Sequence, residues 1–159
     1  MSLLARCIYR ALLWKERQRA RRAKDAGGPE LGAEAVHLAT GRRGETLAYW
    51  YLRQAGYVVV ARNWVARHHH GELDMVAWDG PILSFVEVKT RTSEVAGPPE
   101  VAVDREKQTR IVRAAREYRR RLRRPDVNYR FDIVSVLSDA RAGYHVRLIK
   151  DAFRERKST

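Results

Sequence analysis

Apolar residues recur at helical spacing in two segments of this sequence. The first segment follows Thr40, whose hydroxyl side chain is typical of an N-cap, and it ends at Gly56, a residue type that terminates helices. Its apolar positions are Leu47, Ala48, Tyr51, Leu52 and Ala55. The second segment runs from about Asp104 to Arg124 and stops before Pro125. Its stripe is formed by Ile111, Ala115, Tyr118 and Leu122. Both patterns predict amphipathic helices that bury one face.

Runs of β-branched and aromatic residues predict five strands around these helices. They are Tyr57–Ala61, Leu73–Trp78, Ile82–Thr90, Arg130–Leu137 and Tyr144–Ile149. The first run is rich in valine and predicts a buried strand. A turn at Asp79-Gly80-Pro81 joins the second and third strands, and a loop over Arg91–Pro99 follows them. The order αβββαββ predicts an α/β fold with a mixed sheet, antiparallel at first.

The first 24 residues form a separate, basic segment with eight Lys or Arg and one acid, Glu16. On a helical wheel one side carries Leu4, Ile8, Ala11 and Leu12, and the other carries Arg6, Arg10, Arg17 and Arg21. Two interpretations stay open: an amphipathic arm that binds phosphates or a membrane surface, or a solvated, partly helical extension without a defined role. Residues 25–32, with their Gly and Pro, are typical of a linker. We therefore predict an extension over residues 1–36 and a globular domain over residues 37–155.

The composition of the chain excludes several classes of protein and indicates the kind of partner it binds. The chain has 159 residues, enough for one domain, and its 45% hydrophobic content excludes disorder over the full length. A net charge of +13 favours a polyanionic partner, nucleic acid first and an anionic membrane second. One cysteine, Cys7, excludes an internal disulfide framework and any Cys-rich zinc site, which suits the reducing cytoplasm. No apolar run approaches the ~20 residues of a transmembrane helix.

Four charged residues lie where solvated charges are not expected. Asp74, Glu87 and Lys89 are embedded in apolar strands, and Glu45 lies one turn into the first core helix. Buried charges are costly unless they are paired or bind a metal. Strand alternation places Glu87 and Lys89 on one face. Since Pro81 lacks the N–H that a two-residue turn needs, a four-residue turn is expected, and it pairs Asp74 directly with Glu87, about 5 Å apart at Cβ.

Two facing carboxylates repel each other and therefore favour a cation between them. Hard oxygen ligands suit Mg²⁺ or Mn²⁺, with water completing the coordination. Such an ion promotes attack of water on a phosphodiester, and a neighbouring lysine can hold the water or the phosphate. The alternative interpretation is a structural Asp–Lys–Glu ion network on the sheet. The preceding Asp on the hairpin and the net charge of +13 favour the metal site.

At these residues the sequence resembles the YraN family, small bacterial proteins related to archaeal Holliday-junction resolvases in the PD-(D/E)xK nuclease superfamily. The matching positions are residues 41–45, 52–57, 63, 71–77, 85–91, 97, 107, 115, 118 and 130–132. The resemblance covers about residues 40–150 and implies a restriction-endonuclease-like αβββαβ core. It implies that Asp74, Glu87 and Lys89 are catalytic, with Glu45 as an accessory acid. One departure is Leu73, where the superfamily pattern has Pro.

Further residues are candidates for contact with nucleic acid. They are Arg42, Arg43, Arg91, Lys107, Gln108, Arg116 and Arg120. His68, His69 and His70 are expected to form a polar loop, because three consecutive side chains cannot readily ligate one ion. We expect a structural hydrogen bond for Asp132.

The leading hypothesis is a metal-dependent nuclease acting on DNA, with branched or structured DNA as the expected substrate and a homodimer for paired cuts. The alternatives are a non-catalytic nucleic-acid-binding module with the same fold and, less favoured, a membrane-peripheral adaptor. Paired Asp74 and Glu87 favour the nuclease, because a binding module has no need of opposed carboxylates.

Overall fold

The computed structural model describes residues 3–25, 33–67, 71–91, 103–124, 126–139 and 143–155. Within these ranges there are three helices and five strands. The helices are α1 (Leu3–Asp25), α2 (Ala33–Gln54) and α3 (Arg105–Arg121). The strands are β1 (Val58–Val65), β2 (Glu72–Asp79), β3 (Ile82–Arg91), β4 (Tyr129–Asp139) and β5 (Gly143–Phe153). From α2 onward the order is αβββαββ, so the predicted α/β core is confirmed.

The five strands form one mixed sheet in the order β1-β2-β3-β4-β5. The first two pairings are antiparallel, β3 pairs with β4 in parallel, and β5 is antiparallel to β4. The parallel pair is made possible by α3, which carries the chain from the end of β3 back to the start of β4. Asp104 caps this helix by accepting the backbone N–H of Lys107 at 2.7 Å.

Each face of the sheet packs against one main helix. On one face α2 contributes Leu47, Ala48 and Leu52 to a core that includes Met75 and Val86. On the other face α3 contributes Ile111, Ala114 and Ala115 to a core built around Phe85, Phe131 and Ile133. The alternation of Phe85 and Val86 between the two cores is the period-2 pattern expected of a strand buried on both faces.

The N-terminal helix α1 packs on the α2 side of the sheet, where Tyr9 belongs to the same core as Leu47. Its buried residues are Ala5, Tyr9 and Glu16, whereas Leu4 and Ala11 are exposed. The predicted apolar side is therefore divided: Leu12 packs against the core and Ile8 is half-buried, but Leu4 and Ala11 face solvent. Tyr9 and Glu16 lie on the buried side because α1 docks through them, which the simple hydrophobic wheel does not show.

Two other local expectations are wrong. Thr40 does not cap α2, because that helix begins at Ala33 and continues through Thr40. β1 is not a buried strand, because it lies at the edge of the sheet and leaves Val58, Val60 and Val65 exposed.

The domain division at residue 36 stays a prediction. Within the described ranges no helix is long and apolar enough to cross a bilayer.

Candidate active site

The β2–β3 hairpin has the predicted register, since Trp78 lies opposite Leu83 and Met75 opposite Val86. The pairing between these two strands ends at Met75 and Val86, although β2 continues along β1 and β3 continues along β4. Asp74 is the first residue beyond this end, so the expected direct pairing of Asp74 with Glu87 is not formed. Its Oδ2 accepts the backbone N–H of Val88 at 2.7 Å, replacing a main-chain acceptor where the pairing stops. This hydrogen bond fixes the orientation of the Asp74 carboxylate.

Glu87 is the central carboxylate of the site and is only 3% exposed. Its Oε1 lies 3.0 Å from the ammonium nitrogen of Lys89 and 3.3 Å from that of Lys107. Its Oε2 is buried and has no hydrogen-bond partner among the described residues. A buried, unpaired carboxylate oxygen is costly, so it indicates a position that a ligand could satisfy.

Asp74 and Glu87 influence each other electrostatically. Burial, followed by the negative charge of Glu87, raises the pKa of Asp74 to about 7, although the Val88 hydrogen bond and Lys107 oppose this rise. Burial disfavours the charged form of Lys107, but the pKa of Lys107 is nevertheless raised because Glu87 and Asp74 lie close to it. Lys107 therefore remains an ammonium group at neutral pH.

A close approach between α2 and β3 brings a third acid towards these groups. A Cβ at Gly44 would overlap the side chain of Thr90, so glycine is required for α2 to pack so near β3. Glu45, the next residue, is near enough for its negative charge to contribute to the raised pKa of Asp74. The predicted accessory acid thus lies in the electrostatic environment of the Asp74 carboxylate.

A second glycine sets the approach of α3. Gly71 has a φ of +150°, and a Cβ there would overlap the backbone carbonyl of Arg110. This close contact places the start of β2 against the first turns of α3, where Lys107 reaches Glu87 and also lies 3.6 Å from Glu72. The side chain of Glu72 is 63% exposed, so it lies at the rim of the site.

The residues present fit a Mg²⁺ or Mn²⁺ ion with two protein carboxylates. Asp74 and Glu87 supply hard oxygen donors, and the unsatisfied Oε2 of Glu87 is a suitable ligand atom. Among the described residues there is no group of three or more His, Cys, Asp or Glu side chains that could enclose a metal. A two-carboxylate site completed by water is nevertheless the arrangement that Mg²⁺ commonly adopts.

The other nucleic-acid candidates lie at several places. Gln108 donates to the carbonyl of Val103 at 2.9 Å and lines a cleft along α3. Arg116 lines the same cleft and donates to Glu155 at 2.6 Å, while Arg120 is exposed further along the helix. Arg91 ends β3. Arg42 and Arg43 are exposed and line a cleft between α1 and α2. His68, His69 and His70, and most of the loop after Arg91, lie outside the described residues.

A second charged cluster lies at the opposite end of β3 and β4. Fully buried Asp132 accepts from the Ser84 hydroxyl at 2.6 Å, from the Arg130 guanidinium at 2.9 Å and from the backbone N–H of Asp151 at 2.9 Å. Arg130 also donates to the Tyr57 hydroxyl at 2.7 Å. Since these hydrogen bonds satisfy the buried carboxylate, the expected structural role of Asp132 agrees with its position.

Sequence reasoning left the role of Lys107 undecided, although one signal could have resolved it. Lys107 precedes Ile111 by four residues, so it continues the core stripe of α3 and must face the sheet. The packing roles of Gly44 and Gly71 had no such signal, because each depends on an approach between distant segments.

Comparison with known proteins identifies the family to which this chain belongs. Residues 44–136 match the model of the family described as "Uncharacterised protein family UPF0102". A UPF0102 protein of Koribacter versatilis is 46% identical over 136 residues, covering 86% of this chain and 93% of its own length. A UPF0102 protein of Solibacter usitatus is 55% identical over 103 residues, covering 63% of this chain and 76% of its own. The chain therefore belongs to the UPF0102, or YraN, family.

Proposed function

We propose that this protein is a metal-dependent endonuclease that hydrolyses phosphodiester bonds in DNA, with branched or structured DNA as its substrate class. The observation that carries the proposal is the buried carboxylate of Glu87, with one oxygen between two ammonium groups and the other unsatisfied, beside the anchored Asp74. A structural ion network would be expected to satisfy both oxygens of a buried carboxylate, as the Asp132 network does.

Asp74 and Glu87 would hold Mg²⁺ or Mn²⁺. When bound, the ion supplies a Lewis acid that stabilises negative charge on the scissile phosphate and makes water a better nucleophile. Lys89 can orient the attacking water, since its ammonium group lies 3.0 Å from Glu87. Lys107, kept charged by the same carboxylates, would bind a phosphate oxygen. Glu45 adds negative charge that favours retention of a divalent cation.

The basic surface is the second part of the proposal. DNA phosphates bind cations strongly and with little dependence on sequence. Arg116 and Arg120 lie on α3, the helix that also supplies Lys107, so a backbone that lies along α3 reaches the candidate site. Symmetric cuts in two strands need two sites, and we therefore propose that the active form is a homodimer.

The decisive experiment incubates the pure full-length protein with branched, flapped, single-stranded and double-stranded DNA, and with matching RNA. Each substrate is tested with Mg²⁺, with Mn²⁺ and with EDTA. We expect cleavage of branched DNA that requires the metal and is lost in Asp74→Asn, Glu87→Gln and Lys89→Ala. Glu72→Gln is the matched control, because this acid lies at the rim and is largely exposed.

The principal alternative is a nucleic-acid-binding module without activity. It is the conclusion to draw if the protein binds these substrates but cuts none of them with either metal. Cleavage that survives in Asp74→Asn and Glu87→Gln would instead place the activity outside this site or in a contaminant.

A further inference from the structure

The helix α1 leaves a set of large apolar side chains in solvent. Leu3 is 75% exposed, Leu4 68% and Trp14 65%, while Ala5 and Tyr9 of the same helix are buried against the domain. Isolated exposed apolar residues are common on protein surfaces. Here, however, they lie on a single helix, and the docked face of that helix already has its partner. The exposed residues therefore form a second apolar face.

Helical geometry shows that this face is continuous. At 100° per residue, Leu3, Trp14, Cys7, Ala11 and Leu4 fall within an arc of about 100°. We call these five residues the outer stripe. Arg6, Arg10 and Arg17 flank one side of the outer stripe and Lys15 flanks the other. The arrangement of an apolar stripe between rows of cations is typical of helices that lie in a membrane interface.

A basic cleft adjoins the flank that carries Lys15. It lies between α1 and α2, has a volume of about 260 Å³ and is lined by Lys15, Arg19, Arg42 and Arg43 among other residues. The acid in this cleft, Glu16, is buried and forms an ion pair with Arg19 at 2.8 Å. Cations thus surround the outer stripe on both sides, which gives charge complementarity to a surface of phosphate headgroups.

We propose that α1 binds an anionic membrane surface, with Leu3, Leu4 and Trp14 at the acyl boundary and the flanking Arg and Lys residues at the headgroup phosphates. Phosphates of duplex DNA would engage the cations but offer no burial to two leucines and a tryptophan. A second copy of the chain would bring the same positive helix against itself. Of these three occupants, the bilayer satisfies both the apolar stripe and its basic flanks.

The outer stripe is separate from the cations of α3 with which the proposed nuclease binds DNA. α1 packs on the sheet face that α2 covers, whereas α3 covers the opposite face. The cations of α3 therefore remain accessible when α1 lies on a membrane. The inference stands without the proposed nuclease activity, and vesicle binding and cleavage can succeed or fail independently.

The first experiment measures co-flotation of the full-length protein with vesicles of phosphatidylcholine alone or mixed with phosphatidylglycerol. We expect binding to the anionic vesicles and little to the neutral ones. Leu3→Ser/Leu4→Ser/Trp14→Ser should lose tenfold or more in vesicle affinity without a change of charge. Its matched control is Val58→Thr/Val60→Thr, which alters exposed apolar residues on β1 and should bind as the wild type does.

Charge is tested with a second matched pair of variants. Arg6→Glu/Arg10→Glu should lose most binding to anionic vesicles. Arg124→Glu/Arg147→Glu makes the same change in net charge at exposed positions outside α1 and should lose much less. If the two pairs lose equally, the attraction is a property of total charge and the proposal is overturned.

Insertion is tested at Cys7, the single cysteine of the chain, which is exposed on the outer stripe. An environment-sensitive fluorophore attached there should shift to the blue with anionic vesicles. The same label in Cys7→Ser/Val60→Cys should not shift. Variants are compared once their Tm agrees with the wild type, and the single variant Trp14→Ser replaces the triple variant if the latter fails to fold.

Two further outcomes contradict the proposal. One is vesicle binding that the triple variant leaves unchanged. The other is a wild-type protein that ignores anionic vesicles while the triple variant loses affinity for single-stranded DNA, which would make the outer stripe a base-stacking surface instead.

Discussion

Glu87 occupies a position that few carboxylates adopt, buried beside a second acid and two lysines. The two ammonium groups of Lys89 and Lys107 contact the same oxygen, Oε1, and so leave Oε2 without compensation. Such an arrangement is costly to the apo protein, and functional sites are where such costs are commonly retained. Removing the negative charge of the neighbouring Asp74 should therefore lower activity without lowering the stability of the fold.

We predict that Asp74→Asn abolishes metal-dependent cleavage and leaves DNA affinity equal to or greater than that of the wild type. Asparagine can still accept the Val88 N–H, but it lacks the negative charge that holds a divalent ion and repels phosphate. Cleavage and binding are measured on the same branched substrate. A parallel loss of both would mean that Asp74 supports the fold.

The pH dependence of stability gives a second prediction at this residue. Burial and Glu87 raise the pKa of Asp74 to about 7 in the folded protein, above its ordinary value of 3.8. Ionised Asp74 therefore costs stability as the pH rises from about 4 to 7, and the cost is complete above pH 7. In EDTA, Asp74→Asn should raise Tm by a few °C, roughly, at pH 8 and by little at pH 4. A difference independent of pH would contradict this cause.

At the scale of secondary-structure elements, the position of α2 against β3 is decisive for the site. Gly44 permits an approach that any side chain would prevent, because its Cβ would overlap Thr90. Glu45 follows immediately and owes its place near Asp74 to this close packing.

We predict that Gly44→Ala costs about 1–3 kcal/mol of unfolding free energy, since overpacking forces α2 away from β3. Cleavage should fall about tenfold or more, because small displacements of positioned groups lower rates strongly. Gly41→Ala is the matched control: it lies in the same helix with no atom within 4 Å of the added Cβ. It should stabilise the protein by roughly 0.5–1 kcal/mol. Chemical denaturation and the cleavage assay check both variants, and equal effects would refute the importance of this packing.

At the scale of the whole molecule, the net charge of +13 predicts binding to DNA that weakens steeply with salt. Arg120→Ala should lower the slope of log K against log salt by about 0.9 for each phosphate that the arginine neutralises in the wild type. The matched control is Arg62→Ala, since Arg62 is exposed on β1 and stacks over Tyr49 on the α2 side. Equal changes of slope in the two variants would show that DNA does not favour α3.

Much of the core followed from local patterns. The stripe of Ile111, Ala115, Tyr118 and Leu122 identified α3, and alternating residues identified β2, β3 and β4. The missing N–H of Pro81 excluded one hairpin register, and the observed register places Trp78 opposite Leu83. These features are encoded within a few residues, because side-chain direction repeats every 2 residues in a strand and every 3.6 in a helix.

The tertiary structure decided which side chains come together where segments distant in the sequence meet. Lys107 joins Glu87 because Gly71 lets α3 approach β2, and Glu45 approaches Asp74 because Gly44 lets α2 approach β3. α1 buries Tyr9 and exposes Leu4 because its partner surface, rather than its own hydrophobicity, selects the docked side. The sequence by itself determined most of the elements and the hairpin register that brings Asp74 towards Glu87. Packing between elements determined which further charges reach these two carboxylates, because such contacts depend on long-range geometry that no local period encodes.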